Sequence, residues 1–238
     1  MIDIFICSYL RQQFTRQTID FLKKRTEYPY RLFLIDNGGN EEFMGDVNYY
    51  IKLEPNMGIH AAWNIALSLA ESEYFITSDN DIYVSDLEPD WLTQLVKFMD
   101  DRPDYGAISL HPHVLIGAVG FDPKDSEDVK EVNMCGAVMR IMRTEVVRKA
   151  GGWDHIISEG RNHEESTICS RLQTAGYKTG RTVRLRAYHP FGKDQGGNWG
   201  YPESFTPEMQ KHNPALKDYV KSFDNMEAYD PATWLPKK

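Results

Sequence analysis

The stretch Glu73-Tyr74-Phe75-Ile76-Thr77-Ser78-Asp79-Asn80-Asp81-Ile82-Tyr83-Val84 decides how this chain is read. A short apolar run, Tyr74 to Ile76, ends abruptly in two carboxylates one residue apart, and a second apolar run follows. Such β-rich runs read as buried strands of a parallel sheet. Ligands bind at the carboxyl ends of strands in open α/β sheets. Two acids fixed there repel one another and lose hydration, so the pair Asp79 and Asp81 favours a divalent cation. Oxygen ligands select a hard one, Mg²⁺ or Mn²⁺, with positions left open for substrate phosphates. The alternative reading of an isolated Asp-x-Asp is a loop pair with no role.

Upstream of that stretch the chain alternates strand and helix. Ile2–Cys7 reads as a strand ending in Ser8-Tyr9-Leu10-Arg11. Phe14 to Lys24 reads as an amphipathic helix, and Tyr28-Pro29 breaks it. Arg31–Ile35 is a second strand, stopped by the turn signal Asp36-Asn37-Gly38-Gly39-Asn40. This β-α-β unit implies a parallel pair with a right-handed crossover. Tyr49–Leu53 is a third strand, and Pro55-Asn56-Met57-Gly58 leads into a helix over His60–Ser72. Downstream, a helix over 90–99 takes Asp90 as N-cap, and Tyr105–Leu110 is a strand.

Beyond His111 the alternation weakens. His111-Pro112-His113 and the acidic run 122–131 read as loop, and 132–142 as strand-like. Thr144–Ala150 reads as a helix capped by Thr144 and closed by Gly151-Gly152. His163–Ala175 is a helix with Gly176 as its C-cap, and Thr182–Tyr188 a strand stopping at His189-Pro190. The expected class is α/β: a mixed, mostly parallel sheet flanked by helices, in one continuous domain.

The 238 residues suffice for a substantial core, and 41% hydrophobic with 26% charged residues is an ordinary globular composition. No apolar run approaches the roughly 20 residues a membrane helix needs. The first residues run straight into a strand without a basic leader. Cys7, Cys135 and Cys169 are few, odd in number and far apart, which suggests reduced thiols and a cytoplasmic location. The net charge of −8 argues against a generic duplex-DNA binder. The charge is uneven: residues 1–129 hold 22 acids and 10 bases, whereas 130–193 hold 12 bases and 6 acids. Arg140, Arg143, Arg148, Arg161, Arg171, Arg181, Arg184 and Arg186 belong to the second set. They read either as solvated surface or as a region meeting an anionic partner.

The strands of such a sheet bring Ser8, Tyr9 and Arg11, then Asp36, then Asp79 and Asp81 to one edge. A carboxylate after the second strand accepts a base N–H or a ribose hydroxyl, and arginine or backbone donors hold phosphate. There is no Gly-x-Gly-x-x-Gly and no Walker loop, which speaks against a dinucleotide dehydrogenase or a P-loop NTPase. A nucleotide whose diphosphate is held by metal fits better.

Taken together, Cys7-Ser8-Tyr9-Leu10-Arg11, Ile35-Asp36-Asn37-Gly38, Asn56-Met57-Gly58 with Asn64, Asp79-Asn80-Asp81, Gly151-Gly152-Trp153-Asp154, Glu164-Glu165 with Arg171 and Gly176-Tyr177, and His189 resemble glycosyltransferase family 2. The resemblance covers roughly residues 1–190 and implies the GT-A fold, with a nucleotide-binding half over 1–110 and an acceptor half over 111–190. It implies an inverting, metal-dependent hexosyl- or pentosyltransferase using a nucleotide diphosphate sugar. Ser8, Tyr9, Arg11, Asp36, Asn56, Gly58, Asn64, Asp79 and Asn80 would meet the donor, with Asp36 reading the base. Asp81 and His189, with Asp79 beside them, would hold Mn²⁺ or Mg²⁺. Glu165 would be the catalytic base. The family usually has Glu-Asp there, so Glu164 stands as a second candidate.

Trp153, Asp154 and Trp199 are candidate acceptor or sugar contacts, and Trp153 reads equally as core. His111 and His113 lack a third ligand nearby and read as loop. The tail, 191–238, carries Gly192-Lys193-Asp194-Gln195-Gly196-Gly197-Asn198-Trp199-Gly200, a predicted lid over bound donor. A UDP-sugar is the favoured donor, because one carboxylate at Asp36 matches the single N–H of uracil. The acceptor is open: a glycan, an anionic polymer, or as a minority option a base in nucleic acid. The competing classes are a non-catalytic nucleotide-sugar or glycan binder and, ranked lower, a sugar nucleotidyltransferase.

Overall fold

The computed structural model describes residues 1–9, 12–37, 43–114, 127–154 and 164–189. Arg11, Arg161, Trp199 and the predicted lid lie outside them. Strands β1 (Ile2–Ser8), β2 (Tyr30–Asp36), β3 (Tyr49–Lys52) and β4 (Tyr74–Asp79) pair in parallel, in the order β3-β2-β1-β4. Helix α1 (Gln12–Arg25) makes the crossover from β1 to β2, and α2 (Gly58–Leu69) the one from β3 to β4.

The second half joins the same sheet with mixed direction. It contributes β5 (Tyr83–Val84), α3 (Trp91–Asp100), β6 (Tyr105–Val114), β7 (Val129–Glu131), β8 (Arg140–Arg143), α4 (Thr144–Lys149), α5 (Glu164–Thr174) and β9 (Lys178–His189). Strand β8 runs antiparallel to both β4 and β6, β6 and β9 are parallel, and β5 and β7 each pair antiparallel with β9. The expected class, α/β with one mixed sheet flanked by helices, is what forms, but among the described strands four pairings are parallel and four antiparallel, so the sheet is not mostly parallel.

Because side chains alternate along a strand, the sheet feeds two cores. Ile4, Ile6, Leu32, Leu34 and Ile76 face one side, where they pack with Leu22 of α1 and with Trp91, Leu95 and Met99 of α3. Phe5, Cys7, Phe33, Ile35 and Phe75 face the other, with Trp63 of α2, Val147 of α4 and Ile168 and Leu172 of α5. The rings of Phe5 and Phe33 stack at 4.5 Å, and those of Phe33 and Tyr49 at 4.4 Å. Asp90 caps α3 as expected, accepting from the amides of Leu92 at 3.0 Å and Thr93 at 3.4 Å.

Four local expectations are corrected. His111-Pro112-His113 continues β6 instead of leaving it. The register against β9 shifts between Ser109 and His111, and Pro112 lies beyond the pairing with β8, where its missing N–H breaks no bond on that side. Residues 129–131 form a strand within the run read as loop. Of the strand-like 132–142 only 140–142 join the sheet, in a strand that runs on to Arg143. Thr144 does not cap α4: Arg143 occupies that position, and the Thr144 hydroxyl donates to the Ser72 carbonyl at 2.7 Å.

Candidate active site

The parallel strands end in register. Ser8 lies opposite Asp36, and Cys7 opposite Asp79, so the residues at the ends of β1, β2 and β4 share one sheet edge. Asn37 extends that edge. Its amide donates to the Ser8 carbonyl at 2.7 Å, and its Oδ1 accepts from the Met57 amide at 2.8 Å. This brings the 56–58 turn alongside, where Asn56 Oδ1 accepts from the Gly58 amide at 2.8 Å and Gly58 opens α2 at φ +80°. The Tyr50 hydroxyl donates to Asp36 Oδ2 at 2.5 Å and orients that buried carboxylate. Tyr9 is half exposed beside them.

Asn80, between the two acids, faces inward. Its side-chain Nδ2 donates to Thr15 Oγ1 at 2.8 Å, and its main-chain carbonyl accepts from Thr18 Oγ1 at 2.8 Å. Ser8 joins the same buried cluster, 3.0 Å from Thr15 Oγ1. These contacts anchor the turn after β4 to α1. Asp81 then meets the end of β9, with its Oδ1 3.3 Å from His189 Nε2. The two residues are 108 positions apart in sequence, and β5 brings them together by pairing with β9 at Tyr83 and Tyr188.

A second pair of acids arrives from α5. Glu165 Oε1 accepts from the Ala137 amide at 3.1 Å, while the Ala137 carbonyl accepts from the Asp79 amide at 3.1 Å. One residue therefore bridges the two acidic elements. Glu164 is buried, and its Oε2 has no hydrogen-bond partner among the described residues. Burial and then the neighbouring Glu165 push the Glu164 carboxyl above its usual range, while Arg140 and His60 oppose the shift. Asp79 is pushed well above the carboxylate range, first by burial and then by Asp81, Glu164 and Glu165, with Arg140 opposing. The four carboxylates therefore oppose one another's ionisation, with Arg140 acting against them.

Asp81 and His189 offer one carboxylate and one imidazole donor, the donor types that divalent first-row cations accept. Among the described residues no set of three or more His, Cys, Asp and Glu stands in metal-ligating geometry.

Other candidates hold the scaffold. Asn64 accepts from the Trp153 amide at 2.9 Å and donates to the Trp153 carbonyl at 3.0 Å, clamping the 151–154 turn onto α2. Trp153 is fully buried in the core between sheet and helices, the second of its two sequence readings. Asp154 pairs with Arg171, whose guanidinium also donates to the carbonyls of Gly151 at 2.9 Å and Gly152 at 2.7 Å.

Part of the basic excess of the second half is spent on main-chain carbonyls. Arg143 donates to the carbonyls of Met99 and Tyr105, and Arg148 to those of Leu67 and Ala70, so both serve helix C-terminal ends. Arg140 is fully buried. The reading of these arginines as a solvated or anion-facing surface is corrected for Arg140 alone: Arg148 and Arg184 are exposed, and Arg143, Arg171, Arg181 and Arg186 are partly so. Arg140 escaped notice as a site residue, although an arginine inside Ala137-Val138-Met139-Arg140-Ile141-Met142 is itself a signal for a buried charge.

A family model described as "Glycosyl transferase family 2" matches residues 3–124. A Mycobacterium tuberculosis relative named "Uncharacterized protein Rv1520" is 29% identical over 131 residues, covering 50% of this chain and 36% of its own. Three solved structures share the fold. Staphylococcus aureus TarS aligns with TM-score 0.62 and 15% identity, over 79% of this chain and 36% of its own. GalNAc-T7, solved with UDP, GalNAc and Mn²⁺, aligns with TM-score 0.66 and 14% identity, over 79% and 43%. The mannosyltransferase PcManGT of Pyrobaculum calidifontis, solved with GDP-Man and Mn²⁺, aligns with TM-score 0.63 and 15% identity, over 95% and 75%. The chain spans about a third of the length of the curated relative. No helix among the described residues is long and apolar enough to cross a membrane.

Proposed function

Since this chain belongs to glycosyl transferase family 2, we propose that it transfers a sugar, with inversion, from a nucleotide diphosphate sugar to an acceptor hydroxyl. The observation that carries the reading is the gathering of Asp79, Asp81, Glu164 and Glu165 at one sheet edge with His189 3.3 Å from Asp81. Asp36, oriented by Tyr50, would accept the base N–H, and uracil with its single imide donor is the favoured base. Asp79 would meet the ribose or the sugar. Asp81 and His189 would hold Mn²⁺ ahead of Mg²⁺, since an imidazole nitrogen is a softer donor than an all-oxygen set. The cation supplies Lewis-acid neutralisation of the departing diphosphate.

Glu165 acts as general base. It takes the acceptor hydroxyl proton as that oxygen forms its bond to the anomeric carbon. On the opposite face the bond from that carbon to the diphosphate oxygen breaks, and the nucleoside diphosphate leaves with the electron pair. The Ala137 amide holds Glu165 in place, which favours it over Glu164. Arg140 opposes the mutual repulsion of the acids before donor arrives. The acceptor is a glycan or another hydroxyl-bearing molecule.

A thermal-shift panel of UDP-, GDP-, dTDP- and CMP-sugars with and without Mn²⁺ tests the proposal. A donor at 100 times its Kd adds about 2.7 kcal/mol to native stability. The expected result is a rise in melting temperature with UDP-sugars that requires Mn²⁺. Indifference to every nucleotide sugar sinks the reading.

A further inference from the structure

Resting on the transferase reading above, we propose that Arg140 is a positioning residue, which fixes the segment 135–139 as a strap and through it sets Glu165 against the end of β4. The strap is tied alternately to the two acid-bearing elements. On the β4 side the Ala137 carbonyl accepts from the Asp79 amide at 3.1 Å, and the Met139 amide donates to Ser78 Oγ at 3.2 Å. On the α5 side the Ala137 amide donates to Glu165 Oε1 at 3.1 Å, and the Cys135 amide to Cys169 Sγ at 3.4 Å. Gly136 leaves room for the carboxylate: a Cβ there would lie 2.9 Å from Glu165 Oε1.

The strap does not hold this shape by local preference. Met139 sits at φ +44°, the left-handed region that residues with a Cβ avoid. Arg140 supplies the restraint from outside. Its Nη1 donates to the Cys135 carbonyl, the start of the strap, at 3.2 Å. Its Nη2 donates to Thr77 Oγ1, two residues before Asp79, at 3.2 Å. One rigid planar fork therefore closes the strap onto β4, and a lysine ammonium cannot reproduce that span. The guanidinium is fully buried, and its Nε has no hydrogen-bond partner among the described residues, a cost borne inside the site. Arg140 hydrogen-bonds strap and strand, and its hold on the base runs through the strap to Glu165, a role separate from the charge that Arg140→Lys retains.

The test is a double-mutant cycle on nucleoside diphosphate release from a UDP-sugar with Mn²⁺, using Arg140→Lys, Glu165→Gln and their combination, with Thr77→Val alongside. Arg140→Lys is expected to lower kcat about 10- to 100-fold, the scale of a base displaced by about an ångström, with donor KM within about threefold of wild type. Thr77→Val, which keeps the cation and nearly the same volume, should lower kcat in the same direction by a smaller factor. It carries the test if Arg140→Lys fails to fold. Adding Arg140→Lys to Glu165→Gln should cost nothing further, because the base it positions is already gone. Multiplying losses, or kcat unchanged within twofold in folded single variants of an active enzyme, overturn the proposal for Arg140 alone. A wild-type protein that neither binds nor turns over any nucleotide sugar overturns the transferase reading and this role with it.

Discussion

Replacing Glu164 by Gln should stabilise the protein, and the gain should grow with pH. The Glu164 side chain is buried, its Oε2 has no hydrogen-bond partner among the described residues, and its carboxyl is raised by burial and by Glu165. The groups facing it are Glu165 and Asp79, which oppose its ionisation, and Arg140 and His60, which favour it. A raised carboxyl binds its proton more tightly in the native than in the unfolded state. Its contribution is therefore greatest below the unfolded value of about 4.3, and it falls by up to about 1.4 kcal/mol per pH unit until the folded value is passed. Glutamine keeps the shape and removes the titration.

Urea unfolding of both proteins from pH 4 to pH 8 at constant m reads the difference directly. The variant should match wild type near pH 4 and exceed it by about 1 kcal/mol or more at pH 7.5, the scale of one unsatisfied buried group. Nucleoside diphosphate release should stay within about threefold of wild type, since Glu165 is the group assigned to the proton. A difference that is flat with pH, or that favours wild type at pH 7.5, would refute the electrostatic reasoning. A loss of turnover beyond about 100-fold would move the base to Glu164.

Glu165→Gln should lower kcat by about 10²- to 10⁴-fold with donor binding intact by calorimetry, and a fall of less than about threefold removes it as the base. Gly152→Ala should cost about 2–4 kcal/mol in urea: φ there is +62°, and the new Cβ would lie 2.7 Å from Asn64 Oδ1, the acceptor of the Trp153 amide. Asp3 predicts an acid-labile latch at the far end of the sheet. Burial raises its carboxyl, but the bonds from Arg31 Nε at 2.7 Å and the amides of Glu71 at 2.8 Å and Ser72 at 3.1 Å outweigh that and leave it lowered. Its stabilisation is present above the unfolded value of about 3.9 and is lost as pH falls through the folded one. Asp3→Asn should therefore destabilise at pH 7 and flatten the acid limb, and equal slopes below pH 4 would contradict it.

The sheet edge was legible because strand ends obey a simple rule: apolar alternation locates β1, β2 and β4, and whatever polar residue follows each must gather at one edge. That rule places Ser8, Asp36 and Asp79 together, as the strand register does. The pairing of Asp81 with His189 came from the family pattern, since the antiparallel contact of β5 with β9 has no local signature. Boundaries beyond His111 were harder, because a mixed sheet interrupted by register shifts and proline lacks the regular β-α alternation that guided the first half. The partners of the arginines are illegible in the sequence for a related reason. An Arg in sequence shows its charge but not the carbonyls it will reach, and Arg143, Arg148 and Arg171 find theirs on helices and turns distant in the chain. Asn80 and Asn64 sit in the right pieces of sequence, yet their side chains hold α1 and the 151–154 turn.

The proposed transfer requires that the acids and His189 form one cation-dependent donor site. Titration calorimetry of a UDP-sugar into wild type and into Asp81→Asn, each with and without Mn²⁺, measures this. Binding by wild type that needs Mn²⁺ and is lost in Asp81→Asn is the predicted result. Mn²⁺-dependent binding of equal strength in the variant, or no binding by wild type under either condition, would contradict it.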